Sequence, residues 1–205
     1  MNEEPSPALG ILGGTFDPPH IGHLLLAETA HHQLNLERVL FIPTGEPPHK
    51  STQPLSPAAI RLQMTELAVA DNEAFTVSRL DMKRDPPHYT ATLLPLLRQR
   101  YGDAKLWLLI GGDSLRDLPT WYEPRTVVEQ SRLAVLPRPG APFHWEMLEQ
   151  ALPDLRARVT ILDGPHIALS STRIRTWAAQ GRSLRYVVPP AVARLIEHEQ
   201  LYQRP

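Results

Sequence analysis

Two histidines lie three residues apart in the segment GGTFDPPHIGHL (residues 13–24), where a glycine-rich turn leads into an amphipathic run. If a helix begins near His20 or Ile21, His20 and His23 share one face of its first turn. An imidazole there can be a metal ligand, a general base or a hydrogen-bond donor to phosphate oxygens. The metal interpretation is the weakest, because two imidazoles with no fixed third ligand nearby fall below the usual ligand number for zinc. The pair taken alone is also compatible with two structural histidines around a turn.

The glycines before the histidines favour a phosphate site. Gly13 and Gly14 follow the apolar run ALGIL (8–12), which predicts a strand leading into a tight turn. A turn of this kind between a strand and a helix is where α/β folds bind phosphate through backbone N–H groups and the helix dipole. The standard nucleotide fingerprints, G-x-G-x-x-G after that strand and G-x-x-x-x-G-K-[ST] anywhere, do not occur. In their place stand the two histidines.

A second cluster of anion-binding residue types occurs late in the chain, in SSTRIR (170–175). Ser170, Ser171 and Thr172 precede or open a predicted helix, and Arg175 follows Thr172 by three residues. Hydroxyl and free N–H groups at a helix start form an anion-binding concavity, and an arginine one turn later can reach the same oxygens. Standing alone, the segment is compatible with an ordinary helix cap; together with the first cluster it predicts a second phosphate-binding element.

Strands and helices alternate along the chain, which predicts a doubly wound, Rossmann-like parallel sheet flanked by helices in a single α/β domain. Residues 1–7 are expected to form a flexible N-terminal tail before a domain spanning 8–205 with C-terminal helices. Ser56 is the expected N-cap of the second helix, with Pro57 at its first position, and Pro95 is expected to kink the third helix or delay its start. The predicted strands are 8–12, 38–43, 75–80, 105–112, 132–140 and 158–163. The first predicted helix begins near residue 20 or 21, and the other predicted helices span 56–70, 89–102, 124–130, 143–152, 170–181 and 189–202.

Composition limits the classes of partner. The net charge of −1 gives no global field for nucleic acid or an anionic membrane, so any bound anion needs a local site. The chain contains no cysteine, which removes disulfides and thiolate chemistry. Its start resembles no signal peptide, and its apolar runs are too short to span a bilayer. We therefore expect a cytoplasmic protein with no membrane or nucleic-acid partner; a homo-oligomer is left open.

In combination, GGTFDPPHIGHL and SSTRIR resemble the signatures of the H-x-G-H nucleotidyltransferase superfamily. Within it, the chain looks like the bacterial nicotinate-mononucleotide adenylyltransferases. The further matching segments are PTGEPPHK (43–50), YTATL (89–93), GGDSLRDLPTWYEPRTVVE (111–129) and LPRPG (136–140). These matches fall between residues 10 and about 176 and cover most of the chain. The resemblance implies that the 5′-phosphate of nicotinate mononucleotide attacks the α-phosphorus of ATP and releases pyrophosphate, giving the deamido dinucleotide.

The resemblance also implies roles for individual residues. His20, His23 and Arg175 would be the catalytic residues, acting on ATP phosphates by positioning and charge stabilisation. Mg²⁺ would arrive with ATP and be held mainly by phosphates and water, so no protein metal site is expected. The residues expected to bind ATP are Gly13, Gly14, Thr15 and Phe16 (the latter two through backbone N–H groups), Asp113, Arg138, Ser171 and Thr172, and those expected to bind the mononucleotide are His49, Lys50, Thr90, Trp121 and Tyr122.

The mononucleotide side also carries an expectation about selectivity. Trp121 would stack on the pyridine ring, and the Thr90 hydroxyl with backbone N–H groups near Trp121 and Tyr122 would receive the nicotinate carboxylate. An amide facing the same donors would leave polar groups unpaired, so the acid should be preferred over the amide by about 30- to 1000-fold.

Two other functions stay open at this point. Pantetheine-phosphate adenylyltransferases share both phosphate signatures, but PPHK and GGDSL…PTWYE do not suit them, and a cytidylyltransferase is disfavoured for the same reason. From a different class, the chain could be a non-catalytic nucleotide-binding module, which the intact His20, His23 and Arg175 argue against.

Overall fold

A computed structural model of the chain describes residues 6–46, 55–137, 142–165 and 167–203. The strands found there are β1 (Ala8–Gly14), β2 (Arg38–Pro43), β3 (Phe75–Val77), β4 (Lys105–Gly111), β5 (Arg132–Leu136) and β6 (Val159–Ile161). The helices in the same residues are α1 (Ile21–Gln33), α2 (Ala58–Val69), α3 (Thr90–Tyr101), α4 (Gly112–Asp117), α5 (Pro124–Gln130), α6 (Trp145–Ala151), α7 (Leu155–Arg158), α8 (Ser171–Ala179) and α9 (Pro190–His198), with 3₁₀ turns at Asp81–Lys83 and Leu118–Thr120.

The described strands form one sheet in the order β3-β2-β1-β4-β5-β6. β1 pairs in parallel with β4, β4 with β5, and β5 with β6. The chain thus builds the sheet outward from β1 in one direction as far as β3 and in the other from β4 to β6. This order, with helices in the crossovers, confirms the predicted doubly wound parallel sheet.

Two compact units can be distinguished by their internal contacts. One comprises Met1–Leu12, Leu26–Leu40 and Tyr89–His166, and the other comprises Gly13–Leu25, Phe41–His88 and Ile167–Pro205. Because β1, α1 and β2 each begin in one unit and end in the other, the units are parts of one fold and agree with the predicted single domain. They are called the β4–β6 unit and the histidine unit below, and each is described by itself.

Apolar periodicity predicted most elements, but the expected cap of one helix is wrong and two short helices were missed. β2 and α5 cover the predicted residues, but α2 begins at Ala58 after Pro57, with no side-chain cap. The expectation that Ser56 caps α2 is therefore wrong, and its N–H instead donates to Asp17 at 3.1 Å. α3 begins at Thr90 with Pro95 inside it, so the proline does not delay its start. The short helices α4 and α7 were not predicted. Residues 1–5 of the expected tail lie outside the described residues.

Buried aromatic rings form part of the core of the histidine unit. Phe16, Phe41 and Phe75 are each less than a tenth exposed, and neighbouring ring centroids lie 5.8 Å and 5.2 Å apart. Burial of such side chains contributes about 1.5–3 kcal/mol each. Phe16 thereby ties the turn after β1 to the sheet. No helix among the described residues is long and apolar enough to cross a membrane.

Candidate active site

The backbone at the end of β1 has open space around it, whereas the backbone of the turn that follows is strained at one residue. A Cβ atom placed on Gly13 would meet no other atom within 4 Å, so packing does not demand glycine there. Phe16, by contrast, is 2% exposed and has a φ of +50°, in the left-handed region that bulky residues rarely adopt. Backbone strain of this kind costs about 1–3 kcal/mol and is concentrated at functional turns.

Two hydrogen bonds fix the direction of the amides in this turn. The Gly14 carbonyl accepts from the Thr44 N–H at 2.9 Å, and the Thr15 carbonyl accepts from Nη1 of Arg61 at 2.9 Å. In a trans peptide the N–H points opposite to the C=O. The N–H groups of Thr15 and Phe16, which belong to those two peptide units, are therefore directed away from Thr44 and Arg61. The geometry suits the expectation that these two amides receive phosphate oxygens.

The two histidines stack at the start of α1. His20 immediately precedes the helix and is 6% exposed, and its ring centroid lies 3.7 Å from that of His23 at an interplanar angle of 19°. The His20 backbone N–H donates to Nδ1 of His23 at 3.1 Å. A neutral imidazole whose Nδ1 accepts carries its proton on Nε2, so His23 offers an N–H donor at that atom. The contact also satisfies one of the unpaired N–H groups of the helix start.

The environment keeps His23 neutral. Loss of solvent around the ring lowers the pKa of His23 well below its ordinary value of 6.5, and a charge on His20 would lower that pKa further. The edge of the ring also packs against Phe16, with centroids 5.1 Å apart. At neutral pH His23 is therefore an uncharged hydrogen-bond donor.

The segment SSTRIR (170–175) lies at the start of α8, in the histidine unit. Ser170 caps the helix by accepting from the Arg173 N–H at 3.3 Å, while the Ser171 hydroxyl donates to the Pro18 carbonyl at 2.8 Å. Arg175 donates from Nη1 to the Asp17 carbonyl at 2.8 Å and from Nη2 to the Thr172 hydroxyl at 3.4 Å. The first and second predicted clusters, about 150 residues apart in sequence, therefore meet through two hydrogen bonds.

One donor of Arg175 remains unsatisfied. Its buried Nε atom has no hydrogen-bond partner within the part of the chain that the structure describes. An unpaired buried donor costs about 1–3 kcal/mol, and such groups in native structures are often part of functional sites. This observation agrees with a role for Arg175 in binding a ligand.

In the β4–β6 unit, Asp113 lies just past the carboxyl end of β4. It belongs to the first turn of α4, where Gly111 is the residue before the helix, so Asp113 does not cap it. Its carboxylate forms a salt bridge with Arg116. A Cβ atom on Gly111 would meet no atom within 4 Å, whereas one on Gly112, next to Asp113, would approach Phe143 and Pro137 to 3.3 Å.

Tyr122 forms an aromatic pair in the β4–β6 unit. Tyr122 is 48% exposed and stacks on Tyr89, with ring centroids 4.4 Å apart. Trp121 is half-buried, and its backbone N–H donates to the Leu118 carbonyl at 3.0 Å, so this one of the backbone N–H groups near Trp121 and Tyr122 already has a partner within the protein. Thr90 is half-buried in the first position of α3, next to Tyr89. His49, Lys50 and Arg138 lie outside the described residues.

One family match and two similar proteins identify the family of this chain. The family described as Cytidylyltransferase-like matches residues 11–177. A probable nicotinate-nucleotide adenylyltransferase of Thermomicrobium roseum is 45% identical over 195 residues, which cover 95% of this chain and 91% of that protein. One of Roseiflexus sp. strain RS-1 is 43% identical and is covered over 99% of its length. The chain belongs to the nicotinate-nucleotide adenylyltransferase family.

Solved structures of this family share the fold. The nicotinic acid mononucleotide adenylyltransferase of Plasmodium falciparum, complexed with NaAD, superposes with a TM-score of 0.78 over 96% of this chain and 97% of that one, at 15% identity. A putative nicotinate-nucleotide adenylyltransferase of Vibrio parahaemolyticus gives a TM-score of 0.71 at 20% identity over 97% of both chains. At these identities the likeness concerns the fold alone.

Sequence reasoning missed a polar cluster at the turn after β1, formed by the buried Asp17 and Arg61 and the half-buried Tyr202. Arg61 is 2% exposed, and its guanidinium donates to the carbonyls of Thr15, Thr44, Gly45 and Ser56 at 2.5–3.1 Å. A signal for it exists in the sequence, because Arg61 precedes the buried Met64, Thr65 and Ala68 by three, four and seven residues on one face of α2. A charged residue on such an apolar stripe indicates a buried partner.

Proposed function

We infer that this protein transfers the adenylyl group of ATP to nicotinate mononucleotide, giving nicotinate adenine dinucleotide and pyrophosphate. The observation that carries the inference is the junction of the two signatures: Arg175 and Ser171 of α8 hold the carbonyls of Asp17 and Pro18, two to three residues before His20. The high identity to adenylyltransferases of this family, over nearly the whole chain, supports the same reaction.

In the proposed reaction, an oxygen of the mononucleotide 5′-phosphate forms a bond to the α-phosphorus of ATP in line with the leaving group. The bond from that phosphorus to the bridging oxygen breaks, and pyrophosphate leaves with the electron pair. Because no protein nucleophile is needed, the protein acts by positioning and by donating hydrogen bonds to oxygens that gain charge. His20 would donate at the α-phosphate, and the backbone N–H groups of Thr15 and Phe16 would hold neighbouring oxygens, beside the open backbone of Gly13 and next to Gly14, where a Cβ atom would meet the Phe16 ring at 3.3 Å.

The remaining catalytic residues would hold the triphosphate. His23 would contribute its Nε2–H as a neutral donor, since its pKa is lowered well below the ordinary value. Arg175 would supply the positive charge with a planar fork suited to phosphate oxygens, together with the hydroxyl of Thr172 and the helix start at Ser171. One charged and one neutral donor group can bind the β- and γ-phosphates without holding the product pyrophosphate as tightly as two cations would.

Mg²⁺ is proposed to enter as part of the Mg-ATP substrate. No group of three or more His, Asp or Glu side chains gathers as a metal site in the described ranges. Asp17, the carboxylate closest in sequence to His20, is 1% exposed and accepts from Tyr202 and Ser56. This donor set fits an ion coordinated mainly by phosphate oxygens and water, as Mg²⁺ prefers.

The remaining expected residues are assigned to the ATP ribose and to the mononucleotide. Asp113 would accept from an ATP ribose hydroxyl, with Arg138 as a further ATP contact, while His49 and Lys50 would meet the mononucleotide phosphate. We propose that Thr90 and the residues Trp121 and Tyr122 surround the pyridine ring. The exposed ring of Tyr122, stacked on Tyr89, is a second candidate beside Trp121 for the aromatic contact.

Product identification tests the function. The protein is incubated with Mg-ATP and, separately, nicotinate mononucleotide, nicotinamide mononucleotide or phosphopantetheine, and products are identified by mass spectrometry. We expect pyrophosphate and the deamido dinucleotide with the first. A dephospho-coenzyme A product would assign the chain to pantetheine-phosphate adenylyltransferases, and absence of pyrophosphate release with all three would indicate a binding module.

His20→Ala in the same assay tests the site. Loss of a donor used in the transition state should lower kcat by about 100-fold or more with a smaller effect on ATP affinity. His32→Ala, on an exposed position of α1, is the matched control and should behave as wild type. If His20→Ala keeps turnover within a few-fold of wild type, the assigned role is wrong.

A further inference from the structure

A buried carboxylate, that of Asp17, lies in the turn between β1 and α1. Asp17 is 1% exposed, and its Oδ1 accepts a hydrogen bond from the Tyr202 hydroxyl at 2.6 Å. Its Oδ2 accepts from the Ser56 N–H at 3.1 Å. Hydrogen bonds to an ionised acceptor are shorter and about twice as strong as neutral ones. Both carboxylate oxygens are therefore held, from two segments far apart in the sequence.

Tyr202 is held in turn by its surroundings. It follows α9 in the left-handed conformation, with a φ of +64°, and its hydroxyl also contacts Met64 of α2, with the oxygen 3.8 Å from the sulfur. Burial, and after it the charge of Asp17, raises the pKa of Tyr202 far above its ordinary value. The phenol consequently stays protonated at neutral pH and donates to Asp17.

The backbone of Asp17 holds the residues proposed to bind the triphosphate. Its carbonyl accepts from Nη1 of Arg175 at 2.8 Å, and the next carbonyl, that of Pro18, accepts from the Ser171 hydroxyl at 2.8 Å. His20 follows two residues later. A side chain locked at both oxygens restricts the rotation of its own backbone, so the position of the Asp17 carbonyl depends on the Tyr202 hydrogen bond.

We propose that Asp17 and Tyr202 are positioning residues for the ATP triphosphate: the Tyr202–Asp17 hydrogen bond fixes the carbonyls that orient Arg175 and Ser171. The proposal rests on the proposed function, since it assumes that Arg175 binds ATP. It assigns a functional role to a tyrosine that lies outside both signature segments. Neither residue touches a substrate in this account; each acts through Arg175 and Ser171.

Tyr202→Phe tests the proposal, because it removes the hydroxyl and keeps the ring. Tyr186→Phe, at a tyrosine that is 85% exposed, is the matched control. The KM for Mg-ATP and the KM for nicotinate mononucleotide are measured for both variants and wild type, well below the melting temperature of each, together with ATP binding by calorimetry. Loss of one charge-assisted hydrogen bond in the orienting network should raise the ATP KM and Kd about tenfold. The mononucleotide KM should change less than twofold.

If the Tyr202 hydroxyl had a purely structural role, Tyr202→Phe would lower the melting temperature and leave the ATP KM and Kd unchanged. That result, or an equal change in both KM values, would overturn the proposal. Asp17→Asn provides a second variant should Tyr202→Phe fold poorly. Its amide has a single accepting oxygen and an NH₂ that only donates, so it cannot accept from both Tyr202 and Ser56, and it should raise the ATP KM at least as much. Product identification with the wild-type protein, run in parallel, separates this inference from the proposed function. If no deamido dinucleotide forms, the proposed function fails; if it forms and Tyr202→Phe matches wild type in ATP KM and Kd, only this inference fails.

Discussion

Replacing His23 by glutamine should make the stability of the protein less sensitive to acid. His23 has a lowered pKa in the folded chain, because burial and the neighbouring His20 disfavour its charge. Glutamine does not titrate, and as the third residue of α1 it can still accept from the His20 N–H, as in a capping box. The substitution therefore removes the titration and keeps the helix-start hydrogen bond.

The sign and size of the effect follow from linkage. Below pH 6.5, the ordinary value for histidine, the unfolded chain takes up a proton at His23 that the folded chain does not. The free energy of unfolding therefore falls as the pH decreases, by up to about 1.4 kcal/mol per pH unit. Between pH 7.5 and 5.5 this single site should cost about 1.4 kcal/mol, equivalent to about 3–6 °C in melting temperature for a chain of this size.

Urea unfolding of wild type, His23→Gln and His32→Gln at pH 7.5, 6.5 and 5.5 isolates this contribution from those of the other titrating groups. We expect the loss of unfolding free energy on acidification to be about 1.4 kcal/mol smaller in His23→Gln than in wild type. His32→Gln, at an exposed position of the same helix, should follow wild type. An identical pH dependence for wild type and His23→Gln would refute the claim that His23 is neutral in the folded protein.

Three further substitutions have expected outcomes. Arg175→Lys keeps the charge but loses the planar fork, so steady-state kinetics should show an ATP KM raised about tenfold or more, while Arg194→Lys, exposed on α9, should leave it unchanged. Arg61→Met leaves four carbonyls without their donor and should lower the free energy of unfolding by about 3 kcal/mol or more in urea, and a loss below about 1 kcal/mol would contradict the role of Arg61. Thr90→Ala should reduce an acid-over-amide preference of about 30- to 1000-fold in kcat/KM, and comparable wild-type values for the two mononucleotides would make the enzyme dual-specific.

The parallel sheet could be predicted because its central strands are apolar on both faces. β2 and β4 read as short continuous apolar runs closed by proline or glycine, a pattern that a buried parallel strand requires. The short helices α4 and α7 escaped prediction because six and four residues are too few to show a helical period. Their formation depends on packing within the fold and not on local sequence preference.

The residues of the candidate site also differ in whether local or distant interactions hold them in place. His20, His23, Ser171 and Arg175 could be proposed from the sequence because each lies within a few residues of a backbone turn or a helix start. Nothing local indicates that Tyr202 donates to Asp17, since 185 residues separate them. Charged side chains are also mostly exposed in proteins, so a sequence gives no reason to bury Asp17 or Arg61 until the partners are known.

The spacing of the two histidines has a structural consequence as well as a chemical one. An offset of three residues places two imidazoles on one helix face, and the same offset lets the side chain of His23 accept from the backbone N–H of His20. That hydrogen bond selects the tautomer with a proton on Nε2 and therefore determines what His23 can donate. Gly22 completes the arrangement, because a Cβ atom there would approach the His20 ring to 3.1 Å and press on the stack. The glycine at position 22, the stacking of the two rings and the tautomer of His23 thus belong to one local geometry. A substitution of His20, Gly22 or His23 is therefore expected to disturb the stacked pair.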